Sequence, residues 1–384
     1  MIFSYINFKN FKIKKKNSKL KAYLKLILKK KDEVVSSLGS DYKFSFDKKK
    51  IQRYKKFSNY RLIGMGGSSL GAQAIFEFLK TKIKKNFYFV DNLESKYFDD
   101  NKKKYLNLII SKSGNTIETI INANILIKKE DENIFITENK KNFLNLLANN
   151  LKSEVIHHNN FIGGRYSVLS EVGMLPAELM GLNIRKFKQL NNLIKNKKFI
   201  NSLVSNVASI IFYVKQKKFN SVIINYDPKS INLLNWYQQL VAESLGKKSK
   251  GILPIISNMP KDNHSVMQLY LDGFKNNFFT FFYSNNKKSI KIDNKKIFST
   301  HNYLKYKSVD QILLAQKNAT ENVFLKKNIP FRSFVIKENN EKTLGELFCF
   351  FILETILLAH ALKINPYDQP SVELIKNETK KILI

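Results

Sequence analysis

The apolar residues fall into short unbroken runs, each ended by a small or polar turn and followed by residues at helical spacing. Runs of that kind make strands buried on both faces of a parallel sheet. From Tyr60 onward they predict strands over Arg61–Met65, Asn86–Val90, Asn107–Ile110, Asn133–Thr137 and Glu154–His157. Ser69–Leu79, Thr116–Lys129 and Lys141–Asn150 predict helices between them. After a helical stretch, Phe187–Lys218, the rhythm returns. Strands are expected over Ser221–Ile224, Ile252–Ile256, Phe278–Tyr283 and Phe331–Lys337, with helices over Ile231–Leu245, His264–Leu271 and Ser308–Lys327. This alternation predicts an α/β protein with two doubly wound parallel sheets in tandem and a cleft between them.

The last long apolar stretch, within Thr343–Leu362, predicts a buried helix. Glu354 and His360 interrupt it, and Leu347–Leu362 is short for a membrane span. The expected division is a Lys-rich helical segment over 1–40, a first domain over 41–183, a second over 184–340 and a C-terminal helical segment over 341–384. The Lys-rich stretch Met1–Lys56, helical at Leu20–Lys31, is expected to wrap the first domain.

Two strand-to-helix turns stand out. Ile110–Thr119 reads ISKSGNTIET, and Leu62–Ala72 reads LIGMGGSSLGA. A Gly- and hydroxyl-rich turn that opens a helix presents unpaired backbone N–H groups, which bind anions. Ser111, Ser113 and Thr116 add hydroxyl donors, and Lys112 adds charge. A Ser/Gly turn with a helix cap would explain either turn alone. Two in one parallel-sheet unit point to a small phosphorylated ligand. The first turn superficially resembles a dinucleotide fingerprint, for which Asp91 would be the only ribose ligand, and it lacks the P-loop ending.

Composition changes this picture little. The 384 residues suit two domains, and 43% hydrophobic content excludes a disordered chain. The formal charge of +35 comes almost wholly from lysine, with arginine only at 53, 61, 165, 185 and 332. Lysines spread over the whole chain, beside abundant Asn, Ile and Phe, reflect A/T-rich coding, so no specific nucleic-acid partner is expected. The single Cys349 fits a reducing cytoplasm and excludes a disulfide frame. The five histidines show no zinc spacing, and neither a signal peptide nor a membrane partner is expected.

Candidate chemistry lies in four further stretches. Phe161–Gly181 contains Arg165; where lysine is the default cation, a retained arginine suggests a need for the planar guanidinium fork, with a structural ion pair as the alternative. In Asn235–Lys250, Gln239 and Glu243 stand four apart on one helix face. A carboxylate at a helix end in an apolar setting would hold its proton more tightly and could serve as a general base, whereas most such acids are merely solvated. His264 follows a polar turn, and a lone histidine is more often structural. In NPYDQPSVELIK, Pro370 suits a first helical turn, leaving Asp368 and Gln369 in the loop and Lys376 on the helix.

Taken together, these blocks resemble the glucose-6-phosphate isomerase (phosphoglucose isomerase) family in order and wording. LIGMGGSSLGA, SKSGNTIET (in the bacterial form), GGRYSVLSEVG, QLVAESLGK, NHSVMQLYLDG and NPYDQPSVELIK span residues 62 to 376. The resemblance implies two sugar-isomerase (SIS-like) α/β domains with a C-terminal helical segment, usually as a homodimer. It implies interconversion of glucose 6-phosphate and fructose 6-phosphate without metal or organic cofactor. By the same match, Ser68, Ser111, Lys112, Ser113 and Thr116 bind phosphate, and Gly67, Gly164, Gln239 and Gln369 line the substrate. Glu243 is the base, Arg165 the cation beside the enediolate, and His264 with Lys376 the ring-opening pair. The histidine is expected from the neighbouring subunit. Ser371 departs from the glycine often found there, and the chain is shorter than most members, which bears on surface loops and dimer wrapping.

Overall fold

A computed structural model describes residues 2–13, 17–96, 103–285 and 288–384. Among the described residues, ten strands form two five-stranded sheets. The first strand, β1 (Ile6–Lys9), belongs to the second sheet. The first sheet holds β2 (Asn59–Ile63), β3 (Asn86–Val90), β4 (Leu106–Ile110), β5 (Glu132–Thr137) and β6 (Glu154–His157). All its pairings are parallel, in the order β3-β2-β4-β5-β6. Every residue of β4 is buried, as its apolar run predicts, because strands cover both edges and helices both faces.

The second sheet holds β7 (Asn220–Asn225), β8 (Leu253–Asn258), β9 (Asn277–Ser284) and β10 (Phe331–Ile336), in the order β1-β10-β9-β7-β8. The two sheets share one layout, in which the first strand of each unit lies between the second and the third. The fifth place differs. In the second sheet it is filled from the start of the chain by β1, antiparallel to β10 with Ile6 opposite Ile336.

This corrects the wrapping expectation for Met1–Lys56 over its first thirty residues. The segment does not simply wrap the first domain. It contributes a strand to the second sheet, and its helix Ser18–Lys30 packs on the helices Lys197–Lys215 and Glu341–Leu362. Leu20, Leu24 and Ile27 are its buried residues, spaced as one helical face. Four residues followed by lysines carry no strand signal of their own; the partner strand creates the element.

The helix Glu341–Leu362 is buried without a break from Thr343 to Ala359. It is long and apolar enough to cross a membrane by length and composition, and the protein interior covers 89% of its most apolar window. Glu354, one of its three glutamates, meets Arg332 of β10, both side chains being fully buried. Asn206, Thr280 and Tyr237 complete the ring of hydrogen bonds around that pair. The most apolar part of the helix therefore tolerates the Glu354 carboxylate, because every polar atom of it is met.

The remaining differences are end effects. The strand expected over Arg61–Met65 is β2, two residues earlier, because the turn begins at Gly64. The helix expected over His264–Leu271 is a short 3-10 turn, Lys261–His264, followed by Met267–Asp272.

Candidate active site

The turns after β2 and β4 lie side by side, because β2 pairs with β4 on one edge and with β3 on the other. That is the point where the strand order reverses, and in open α/β sheets ligands bind outside the strand ends there. The turn after β4 folds on itself. Ser111 Oγ lies 2.8 Å from Thr116 Oγ1 and accepts from the Gly114 amide, and the Asn115 amide donates to Ser113 Oγ. Gly114 has φ +66°, which glycine adopts freely. Thr116 stands at the N-cap position of the helix Ile117–Leu126 without a side-chain bond to its amides, the first of which have no partner within the helix. Lys112 is held 3.4 Å from Glu138.

The turn after β2 is shaped by contact. A Cβ on Gly66 would lie 2.7 Å from Gln239 Nε2, and one on Gly67 only 2.2 Å from the carbonyl carbon of Gly164. The glycines let two backbones and a helix from the other domain meet. Asp91, at the end of β3, accepts a hydrogen bond from Gln73 Nε2 at 2.6 Å.

That second helix, Ile231–Leu245, follows β7 and carries Gln239 and Glu243. Gln239 Nε2 donates to Glu243 Oε1 at 2.8 Å, the i,i+4 pairing expected on one face. The other Glu243 oxygen lies 3.2 Å from Arg165 Nη1. The setting of the carboxylate is thus a charged one, not the apolar one expected. The side chain of Glu243 is 27% exposed and that of Arg165 only 2%.

Arg165 sits in the 3-10 turn Gly164–Leu169 and uses its whole fork. Nε donates to Ser244 Oγ at 2.9 Å, and Nη1 to Glu243 and to Gln369 Oε1 at 2.9 Å. Nη2 donates to the carbonyls of Pro366 at 2.5 Å and Asp368 at 3.1 Å. Five donors meet five acceptors, a count that lysine cannot match. Trp236 Nε1 holds the Arg165 carbonyl at 3.1 Å, and Tyr166 OH lies 2.8 Å from Ser244 Oγ. Burial raises the pKa of the Tyr166 phenol, keeping it a neutral hydrogen-bonding group. Lys247 Nζ donates to the carbonyls of Asn365 and Asp368 and to the Asp368 carboxylate, which that contact holds below the usual range.

The structure therefore brings together Gly66, Gly67, Gly164, Arg165, Gln239, Glu243 and Gln369. Ser68 follows in the same turn, half-buried. His264 and Lys376 are not brought in. His264 is exposed at the end of its turn, and Lys376 pairs with Glu373 at 2.6 Å on the exposed helix Pro370–Leu383. Among the described residues no hydrogen bond or ion pair ties either to Glu243 or Arg165. The sequence reading missed Ser244, Tyr166, Trp236 and Lys247. Only the placement of Ser244 next to Glu243, and of Tyr166 next to Arg165, hinted at them. Among the described residues no group of three or more His, Cys, Asp or Glu could hold a metal ion.

The sequence profile of the phosphoglucose isomerase family matches residues 43–384. The chain belongs to this family. It is 33% identical over 354 residues to a glucose-6-phosphate isomerase of Methanocaldococcus jannaschii, covering 86% of each chain. It is also 33% identical over 352 residues to one of Mycoplasmopsis pulmonis, covering 84% of this chain and 82% of the relative. Among solved structures, a hypothetical protein of Thermus thermophilus superposes with a TM-score of 0.82 at 22% identity, over 95% of this chain and 94% of its own. A glucose-6-phosphate isomerase of Chlamydia trachomatis gives 0.72 at 18% identity, over 98% and 80%. Those two likenesses concern the fold alone.

Proposed function

We propose that this member of the phosphoglucose isomerase family interconverts glucose 6-phosphate and fructose 6-phosphate, with Glu243 moving the proton. The observation that carries the reading is the meeting of Glu243 and Arg165 at 3.2 Å, beside the glycine turn that follows β2. In the open-chain aldose the C2 proton is too weakly acidic to leave unaided. Glu243 takes it and returns it to C1, while a proton passes between O1 and O2. The negative charge that develops on the enediolate oxygen calls for a fixed cation, and Arg165 is fixed by five hydrogen bonds. Ser68, Ser111, Lys112, Ser113 and Thr116 hold the phosphate, so that binding energy aligns the carbons with the base. Gly67, Gly164, Gln239 and Gln369 line the sugar.

The reading carries with it a homodimer acting in the cytoplasm, with His264 reaching the partner's site and Lys376 assisting ring opening. It requires no specific nucleic acid and no membrane. Two observations support the dimer. His264 lies apart from the site of its own chain, and the helix Pro370–Leu383 buries none of its residues while exposing Leu374, Ile375, Ile382 and Leu383. A helix of this length standing alone in water is marginal, so it calls for a covering surface.

A coupled assay following glucose 6-phosphate formed from fructose 6-phosphate tests the reading on wild type and Glu243→Gln. Turnover that collapses in a folded Glu243→Gln variant supports it. A folded wild type that binds the sugar phosphate without turning it over overturns it. Mixing His264→Ala with Glu243→Gln chains tests the dimer: shared sites restore activity in the hybrids.

A further inference from the structure

The turn that follows β5 has no part in the chemistry above, yet it is built around the phosphate turn. The Glu138 amide and Thr137 Oγ1 both donate to the Lys112 carbonyl, at 3.1 and 3.2 Å. The Leu144 amide donates to the Gly114 carbonyl at 3.1 Å, and the Phe143 amide to Asn115 Oδ1 at 3.0 Å. Asn142 fills the space beside Gly114, where a Cβ would lie 2.1 Å from its Oδ1. One turn thus backs the other along its length.

At the centre of that contact lies a carboxylate that needs explaining. Glu138 is 4% exposed, in a chain with 66 basic and 31 acidic residues. One of its oxygens faces Lys112 Nζ at 3.4 Å, and the other forms a close ion pair with Lys140. A buried carboxylate is unfavourable for folding unless it is paired, and beside an anion site it repels the ligand. Lys140, itself largely exposed, removes the second objection by cancelling that charge. His158, buried next to them, has its pKa driven down by burial to about 4, so it adds no charge at neutral pH. The local balance is two ammonium groups against one carboxylate, leaving Lys112 as the net cation.

We propose that Glu138 is a positioning residue: with Lys140 as its counter-charge, it fixes the Lys112 ammonium at the turn for a phosphate group. This rests on the reading of that turn as the phosphate site. A lysine loses much rotamer freedom when it binds an anion, and holding it beforehand lowers that loss. Without the carboxylate, Lys112 and Lys140 repel each other and Lys112 swings into water.

The test uses the full chain with Glu138→Gln and Glu138→Asp. In Glu138→Gln the KM for fructose 6-phosphate rises about fivefold to tenfold, and kcat changes much less. Glu138→Asp, which keeps the charge, recovers part of the loss. A second measurement does not depend on turnover: the rise in melting temperature that inorganic phosphate gives the wild type is smaller in Glu138→Gln. A purely structural role would lower the melting temperature without phosphate and leave KM and the phosphate shift alone. Unchanged KM and phosphate shift in a folded Glu138→Gln overturn the proposal. Failure of the isomerase reading shows separately, as a wild type without turnover.

Discussion

The Cβ that Gly67 lacks would stand 2.2 Å from the carbonyl carbon of Gly164, two backbones from separate loops with no room between them. Gly67→Ala must push one loop off the other, and the loop that moves carries Arg165. Overpacking of this kind costs about 1–3 kcal/mol. The expected outcome is a lower midpoint in thermal melts and at least a tenfold fall in kcat/KM. Gly163→Ala is the comparison, because its φ is −66° and its Cβ would meet only Tyr166 at 3.8 Å. A Gly67→Ala chain as stable and active as wild type would mean that the two loops are not held in this contact.

Arg165→Lys keeps the charge and removes the fork. A single ammonium cannot satisfy Ser244, Glu243, Gln369 and the two carbonyls together. Expected is a fall in kcat of about a hundredfold or more, equivalent to roughly 2.7 kcal/mol, with a smaller change in KM. Steady-state kinetics on a chain with native circular dichroism decides this. Near-normal kcat would show that charge alone suffices.

The buried pair of Arg332 and Glu354 makes a stability prediction. Both side chains are fully buried, and burial together with the Glu354 carboxylate raises the pKa of the Tyr237 phenol. Glu354→Ala leaves a guanidinium without its counter-charge in the core and is expected to lose about 3–5 kcal/mol in equilibrium urea unfolding. Glu354→Leu combined with Arg332→Met should lose less than Glu354→Ala alone. Strictly additive losses would contradict the coupling.

Lys188 gives a pH dependence. Its ammonium donates to the carbonyls of Ser37 and Leu169 and stands 4.7 Å from the rings of Tyr42 and Phe44. Burial pushes its pKa down from 10.5 to about 7. Between those values the unfolded chain binds the proton and the folded chain does not, so this group makes stability rise with pH. The penalty for burying the charge is fully present below about pH 7 and fades towards about pH 10.5. The melting temperature of Lys188→Met relative to wild type should therefore fall as pH rises from 7 to 10. A difference flat with pH would place the titration elsewhere.

Most strands and helices were legible because strands buried on both faces appear as continuous apolar runs. β4 and β9 are buried at every position. β1 was not, since a strand so short is defined by its partner, and that partner lies at the other end of the chain. The same division runs through the site. Gln239 and Glu243 are linked by helical spacing, and Arg165 stood out by its scarcity. Ser244, Tyr166, Trp236 and Lys247 acquire their roles only where two domains and the segment after residue 364 converge. Neither spacing nor composition encodes that approach. His264 and Lys376 carried the family's wording, and in the single chain they stand apart from the base.

The antiparallel pairing of β1 with β10 has a bearing on synthesis. The first sheet is built from consecutive strands and can close while the ribosome is still making the second domain. β1 emerges before any of them and must wait for Phe331–Ile336, the last strand made. Until then its Ile6 and Phe8 have no lasting cover. A strand made early is thus among the last to reach its final place, and a chain stopped short of β10 carries it as an orphan ahead of a finished first sheet.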